Sequence, residues 1–133
     1  SNVVPLVCNK AASVGDMEFE VADVHGFPPK EKLIDPLSAY INADAIKFPL
    51  AVRRVAEGDR FVPFGMRGSK LVSDYLNDCK VPVEERLRQL VVCDGEKIVW
   101  LVGRRVDNRV RVFPDTPNII CISAKNKAVP CGE

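Results

Sequence analysis

The residue types best suited to bind a ligand lie close together at positions 65–70. The stretch combines two glycines, two cations and a hydroxyl group in the order Gly65, Met66, Arg67, Gly68, Ser69 and Lys70. Glycine adopts backbone angles that other residues resist, so this spacing predicts a tight loop with free backbone N–H groups. Free N–H groups and two cations attract negative charge. The stretch therefore predicts an anion site.

The elements on either side of this loop must hold it in place. Residues up to Phe61 read as the end of a strand. Ser69 precedes the apolar pair Leu71 and Val72, which predicts that Ser69 is the N-cap of a helix. Tyr75 continues the apolar face one turn later. We therefore expect the anion site at a strand–loop–helix junction.

Most kinds of catalytic site are excluded by composition. His25 is the only histidine of the chain, which rules out the usual triads and dyads. The glycine spacing and the Ser-Lys order differ from those of a nucleotide P-loop. Asp59, Asp74 and Asp78 could hold a metal, but pairing of Asp59 with a neighbouring arginine and solvation of the other two is the simpler interpretation. We predict no catalytic residue and no cofactor or metal site.

Charge is spread unevenly although the net charge is only +1. Residues 1–49 carry 4 basic and 7 acidic side chains, whereas residues 50–115 carry 13 basic and 10 acidic ones. A basic middle section permits a nucleic-acid interface. The five cysteines include no Cys-x-x-Cys pair, which is typical of free thiols in a reducing, cytoplasmic setting without structural zinc. No membrane-length apolar run or signal peptide is present.

Apolar periodicity predicts an α+β fold of about six or seven strands and two short helices. The strands are expected at residues 17–23, 48–55, 90–93, 97–102, 106–113 and 118–123, with one more short strand in residues 38–46 that is followed by a turn at 42–44. The helices are expected at 70–78 and 82–88. Residues 30–36 read as a polar connection, and the tail from Lys125 as frayed. No linker divides the chain, so a single domain is expected.

Two of these strands carry specific expectations. Asp94-Gly95 is the signal of a type I′ hairpin turn between the strands at 90–93 and 97–102. The second of these strands is apolar on both faces, which implies layers above and below it. In the strand at 106–113, alternation places Asp107, Arg109 and Arg111 outward, so the two arginines are expected to form a basic stripe.

The order of residues in the middle of the chain resembles that of a known family, the C-terminal domain of bacterial tRNA(Ile)-lysidine synthetase. The similarity extends from about Asp44 to Phe113. The residues that carry it are Gly58-Asp59-Arg60-Phe61, Pro63, Gly65-Met66-Arg67-Gly68-Ser69-Lys70, Ser73-Asp74, Asp78 and Lys80-Val81-Pro82.

The resemblance implies a layered sheet/sheet/helix sandwich, related to a domain of phenylalanyl-tRNA synthetase. It also implies that residues 3–133 are one C-terminal accessory domain of a longer bacterial enzyme. The sequence begins with Ser1 and Asn2 rather than methionine, so these two residues are expected to be a tag scar. That ligase joins lysine to C2 of the wobble cytidine of tRNA(Ile). ATP with Mg is its cofactor, bound in an N-terminal ATP-pyrophosphatase domain. The phosphate loop of that domain does not occur here, so the chain alone is expected to be inactive.

By the same resemblance, the partners are tRNA(Ile), contacted on the acceptor-stem side, and the catalytic domain of the parent enzyme. The residues expected to bind tRNA are Arg54, Arg60, Arg67, Ser69, Lys70, Arg104, Arg109 and Arg111. For Arg54 and Arg60, a structural role as partners of Asp59 and Asp78 stays open. A homodimer also stays open, and the sequence does not specify which base pairs are read.

Two other functions compete with tRNA docking. The domain could instead be a protein-interaction module that packs against its own enzyme without touching RNA. The segment Gly65–Gly68 also mimics the Gly-x-x-Gly loop of KH domains, but that loop joins two helices, whereas the residues before Gly65 read as strand. We favour tRNA docking.

Overall fold

The computed structural model describes residues 3–127; the expected tag scar at Ser1 and Asn2, and positions 128–133, lie outside the described residues. The strands in this range are β1 (Val4–Leu6), β2 (Ala12–Val14), β3 (Met17–Val24), β4 (Ser38–Asn42), β5 (Leu50–Arg54), β6 (Arg60–Phe61), β7 (Lys70–Leu71), β8 (Leu90–Cys93), β9 (Ile98–Leu101), β10 (Arg105–Val106) and β11 (Ile119–Asn126). The helices are α1 (Lys30–Leu33), α2 (Val72–Asp78) and α3 (Val83–Arg88), with 3₁₀ turns at Ala43–Ala45 and Asn108–Val110.

The strands form three antiparallel sheets. One has five strands in the order β1-β5-β8-β9-β10, and a second has four in the order β2-β3-β11-β4. A short third sheet pairs β6 with β7 and so closes the glycine loop at its base. Antiparallel sheets accompanied by a few short helices confirm the predicted α+β class.

The larger hydrophobic core lies between the five-stranded and four-stranded sheets. Trp100 and Val52 from the first sheet pack in one cluster with Phe19, Ile41 and Ile122 from the second. Each of these side chains is 1% exposed or less. Their alternation along the strands is the period-2 pattern expected of sheets that bury one face.

A smaller core covers the opposite face of the five-stranded sheet. Val91 and Leu101 from that sheet pack against Val72 and Leu76 of α2 and against Phe61 of β6. The five-stranded sheet is therefore covered on both faces, which confirms the sheet/sheet/helix layering. It also explains why every residue of β9 is buried.

The structure has more short elements than the sequence predicted. α1 occupies part of the expected polar connection, and the weakly patterned start of the chain contains β1 and β2. The tail is ordered further than expected, because Lys125 and Asn126 belong to β11. Among residues 3–127, no helix is long and apolar enough to cross a membrane.

The hairpin between β8 and β9 is confirmed, but its turn is not the predicted one. Asp94 N–H donates to Lys97 O at 3.0 Å, so the two central residues are Gly95 and Glu96. Gly95 has a φ of +122°, whereas Asp94 is not in the left-handed region. The Asp94 carboxylate is buried and accepts the N–H groups of Lys47, Glu96 and Lys97. The buried Asp94 side chain therefore stabilises the turn through hydrogen bonds to its backbone.

The predicted strand at 106–113 is wrong beyond its first residue. β10 ends at Val106, and the 3₁₀ turn Asn108–Val110 follows, with Asp107 as its N-cap. Asp107 N–H still donates to Val99 O, but its side chain is fully buried rather than outward. The expected basic stripe therefore does not exist as a strand face.

Candidate functional site

The loop between β6 and β7, residues 62–69 (the glycine loop), is fixed by residues 104–111 (the arginine segment). Val62 N–H donates to Asp107 Oδ2 at 2.9 Å, and Asn108 N–H donates to Val62 O at 2.7 Å. Gly65, which has a φ of +87°, donates its N–H to Asn108 Oδ1 at 3.0 Å. The loop thus has a defined shape, but several of its N–H groups are used internally.

Asp107 and Arg109 hold the arginine segment together. Arg109 donates to the buried Asp107 carboxylate from its backbone N–H at 2.8 Å, from Nε at 3.0 Å and from an Nη at 2.9 Å. These hydrogen bonds outweigh the effect of partial burial and raise the pKa of Arg109. The guanidinium of this predicted tRNA ligand is therefore engaged by a carboxylate.

The predicted N-cap at Ser69 is wrong. α2 begins at Val72, and Leu71 occupies the cap position without a side-chain cap. Ser69 Oγ instead accepts a hydrogen bond from Arg60 Nε at 2.8 Å. Val72 N–H donates to Asp59 O at 2.9 Å. Ser69 therefore does not cap the helix, and the first helical N–H group is already paired, so the cations of the loop are the stronger candidates to hold an anion.

Asp59 pairs with an arginine, as predicted. Arg53 donates to its two carboxylate oxygens at 2.8 and 3.1 Å, and Ala56 N–H adds a third hydrogen bond. Burial alone would raise the pKa of Asp59, but the hydrogen bonds from Arg53 and Ala56 hold it below its ordinary value. The alternative structural role for Arg54 and Arg60 is not found. The partner of Asp59 is Arg53, and the partner of Asp78 is Lys70 at 2.7 Å.

A groove of about 710 Å³ opens beside the glycine loop. Arg111 lines this groove, and its guanidinium carbon lies 5.0 Å from the ring centroid of Phe64 and 4.4 Å from that of Phe113. Arg105 donates to Phe64 O at 3.1 Å. Both arginines therefore converge on one residue of the glycine loop, and cation–π contacts hold the two rings in place.

Arg104 also lines this groove, and its guanidinium is held by Gln89 and Glu85. Its Nε donates to Gln89 Oε1 at 2.8 Å, and an Nη approaches Glu85 Oε1 at 3.3 Å. The buried Gln89 amide in turn donates to Leu90 O and to Val102 O. Arg104 is thus a positioned cation whose charge is partly balanced.

The structure brings some of the predicted residues together and separates others. Arg104 and Arg111 share the groove, and Arg60 contacts Ser69 at the base of the glycine loop. Arg54 lies exposed at the end of β5, on the face opposite Arg53, and forms no side-chain salt bridge among residues 3–127. The predicted set omitted Arg105, Phe64 and Phe113. The double arginine at 104–105 is a signal that could have identified the first of these.

Three arginines on these two segments have no carboxylate partner. Within the described range, Arg67, Arg105 and Arg111 form no salt bridge, and the same holds outside the two segments for Arg54, Arg60, Arg86 and Arg88. Arg67 is exposed in the glycine loop, three residues after Phe64. The site therefore presents positive charge that needs no internal ion pair to break before it binds an external anion.

The layered fold places the chain among α+β domains of the TilS C-terminal type. A crystal structure described as the TilS C-terminal domain superposes with a TM-score of 0.82, covering 96% of this chain and 98% of that chain at 19% identity. The sequence model of the TilS substrate C-terminal domain matches residues 50–122, more than half of the chain. The chain belongs to this family, which confirms the resemblance seen in the sequence.

Curated relatives are named tRNA(Ile)-lysidine synthase. The protein from Parabacteroides distasonis is 44% identical over 85 residues, which cover 64% of this chain and 19% of the relative. The protein from Bacteroides thetaiotaomicron is 42% identical over 92 residues, which cover 69% of this chain and 21% of the relative. The chain thus spans about a fifth of the length of these relatives.

Proposed function

We propose that this domain docks tRNA(Ile) for a tRNA(Ile)-lysidine synthase and takes no part in bond formation. The observation that carries the proposal is the convergence of Arg105 and Arg111 on Phe64, a residue of the loop that also carries Arg67; none of the three arginines has a carboxylate partner in residues 3–127. The names of the curated relatives support tRNA(Ile) as the RNA. ATP with Mg and the lysine-joining reaction belong to the rest of such an enzyme, which acts in the cytoplasm.

The chemistry of the site suits an RNA backbone. A double-stranded stem such as the acceptor stem offers phosphates and 2′-hydroxyls more readily than base edges. Guanidinium groups bind phosphate through paired hydrogen bonds, and an arginine without a carboxylate partner does so without first breaking an internal ion pair. Lys70 and Arg109 are less suited, because Asp78 and Asp107 already engage them.

Removing two free cations is expected to weaken tRNA binding. In Arg67→Ala with Arg105→Ala, we predict about a tenfold loss of affinity for tRNA(Ile), since each substitution removes a charge-assisted contact to phosphate. Fluorescence anisotropy at low salt measures it. The matched control is Lys10→Ala with Lys125→Ala, which removes the same charge from exposed positions outside the site. Equal losses in the two double variants would contradict a localised docking site.

The chain alone is expected to form no lysidine. Incubation with ATP, lysine and tRNA(Ile), followed by mass spectrometry of the digested nucleosides, measures this directly. A full-length relative serves as the positive control. Detection of lysidine with the chain alone would contradict the non-catalytic assignment.

A second candidate function is packing against the rest of the enzyme. Val83 and Leu87 lie one turn apart on α3 and are 64% and 68% exposed. Such a face could contact the catalytic part of the parent enzyme. Absence of tRNA binding at low salt would favour this interaction role over RNA docking.

A further inference from the structure

The groove beside the glycine loop has a strong charge imbalance. Four cations and one carboxylate line it, namely Lys30, Arg104, Arg105, Arg111 and Asp35. The Asp35 carboxylate is engaged by its own segment, because it accepts hydrogen bonds from Leu37 N–H at 3.0 Å and from Ser38 Oγ at 3.2 Å. Charge complementarity therefore favours an anionic occupant.

The same groove exposes three aromatic rings. Phe27, Phe64 and Phe113 are 43%, 44% and 46% exposed, although burial of a phenylalanine side chain is normally favourable. The guanidinium of Arg111 lies over Phe64 and Phe113, yet both rings stay partly exposed and line the groove. An occupant with a flat apolar part would cover them.

Arg111 also has an unused hydrogen-bond donor. Its Nε is shielded from solvent and has no hydrogen-bond partner within residues 3–127. Unsatisfied donors of this kind are uncommon in folded proteins. The arrangement thus combines free donors, cations and flat apolar surfaces in one place.

We propose that this groove holds an unpaired nucleotide of the bound RNA, with its base against Phe113 or Phe64 and its phosphate against the arginines. This inference rests on the proposed docking function and adds to it a contact that a duplex cannot make. Bases inside a stem are stacked and paired, whereas unpaired bases stack on exposed aromatic side chains. The volume of about 710 Å³ lies within the range of pockets that hold small ligands.

The test compares a short blunt RNA duplex with the same duplex carrying a short single-stranded 3′ overhang. A third probe carries an abasic overhang, which keeps the phosphates and removes the bases. We expect the normal overhang to improve affinity for the chain about tenfold over the blunt duplex, and the abasic overhang to recover little of this gain. Phe113→Leu should abolish the gain, so that in this variant the overhang duplex binds no more tightly than the blunt duplex. Phe48→Leu, at a phenylalanine that is 57% exposed outside the groove, should keep the gain.

Each outcome separates this inference from the docking function. If the blunt duplex binds and the overhang adds nothing, the nucleotide site is refuted while docking stands. Equal affinity for the normal and abasic overhangs, or an equal loss on both duplexes in Phe113→Leu, also refutes base stacking. Failure of all three probes to bind at low salt overturns the docking function itself.

Discussion

Asp107→Ala is expected to lower the free energy of unfolding by about 2–4 kcal/mol, because the substitution leaves buried donors without an acceptor. The carboxylate accepts the N–H of Val62 and two side-chain donors of Arg109, and it is fully buried. Urea denaturation followed by circular dichroism measures the change. Since Asp107 ties the glycine loop to the arginine segment, tRNA affinity should fall as well.

The matched control for this variant is Asp115→Ala. Asp115 lies eight positions after Asp107, is exposed and forms no salt bridge among residues 3–127. Replacing it should therefore change the free energy of unfolding by less than about 0.5 kcal/mol. If Asp107→Ala were as stable as Asp115→Ala, the hydrogen bonds of the buried Asp107 carboxylate would not be what holds the glycine loop in place.

The second large effect is the loss of stability at low pH that follows from protonation of Asp94. Burial alone would raise the pKa of Asp94, but hydrogen bonds from Lys97 and from the N–H groups of Glu96 and Lys47 lower it from 3.8 to about 2. A depressed native pKa stabilises the fold at pH values above the unfolded pKa, and this stabilisation is lost as pH falls from about 4 to 2. The difference corresponds to about 2 kcal/mol.

Asp94→Asn should therefore be about 2 kcal/mol less stable at neutral pH and should show a flatter stability profile between about pH 4 and pH 2. Chemical denaturation at a series of pH values measures both effects. Glu96→Gln is the control, since Glu96 is exposed and its carboxylate pairs with the exposed Lys47 at 3.2 Å. An unchanged acid profile in Asp94→Asn would show that another carboxylate governs acid sensitivity.

Local patterns in the sequence predicted the layered core well. Alternation identified β3 and β5 because one face of each strand lies in the core between the sheets, and period-2 burial is visible without knowledge of the neighbours. The doubly apolar run of β9 similarly predicted cover on both faces. Elements of two or three residues, such as β2 and β10, were missed or overextended because tertiary pairing rather than local pattern defines them.

The site was predicted less well, because its hydrogen bonds join distant parts of the chain. Alternation through Val106 and Val110 imitates a strand, yet the pair Asp107-Asn108 is typical turn chemistry and marks the 3₁₀ turn found there. Nothing local shows that Asp107 reaches Val62, 45 positions away. Likewise, the capping preference of Ser69 was overridden by its contact with Arg60.

These contacts explain how a short loop can act as a binding surface. The five-stranded sheet holds the arginine segment, the segment holds the glycine loop, and the loop carries Phe64 and Arg67. Carboxylates of the same chain pair with Arg53, Lys70 and Arg109, and these ion pairs help to hold the two segments in position. The unpaired arginines are left for an external partner. Rigid support of this kind lets few side chains set the binding geometry.

The most direct test of the docking role is the salt dependence of tRNA(Ile) binding to this chain. With three or four phosphate contacts, the logarithm of the association constant should fall against the logarithm of salt concentration with a slope of about −3, or roughly 60-fold between about 50 and 200 mM. Arg67→Ala with Arg105→Ala should bring the slope nearer to about −1.5. Binding that does not vary with salt, or an unchanged slope in the double variant, would contradict docking through these arginines.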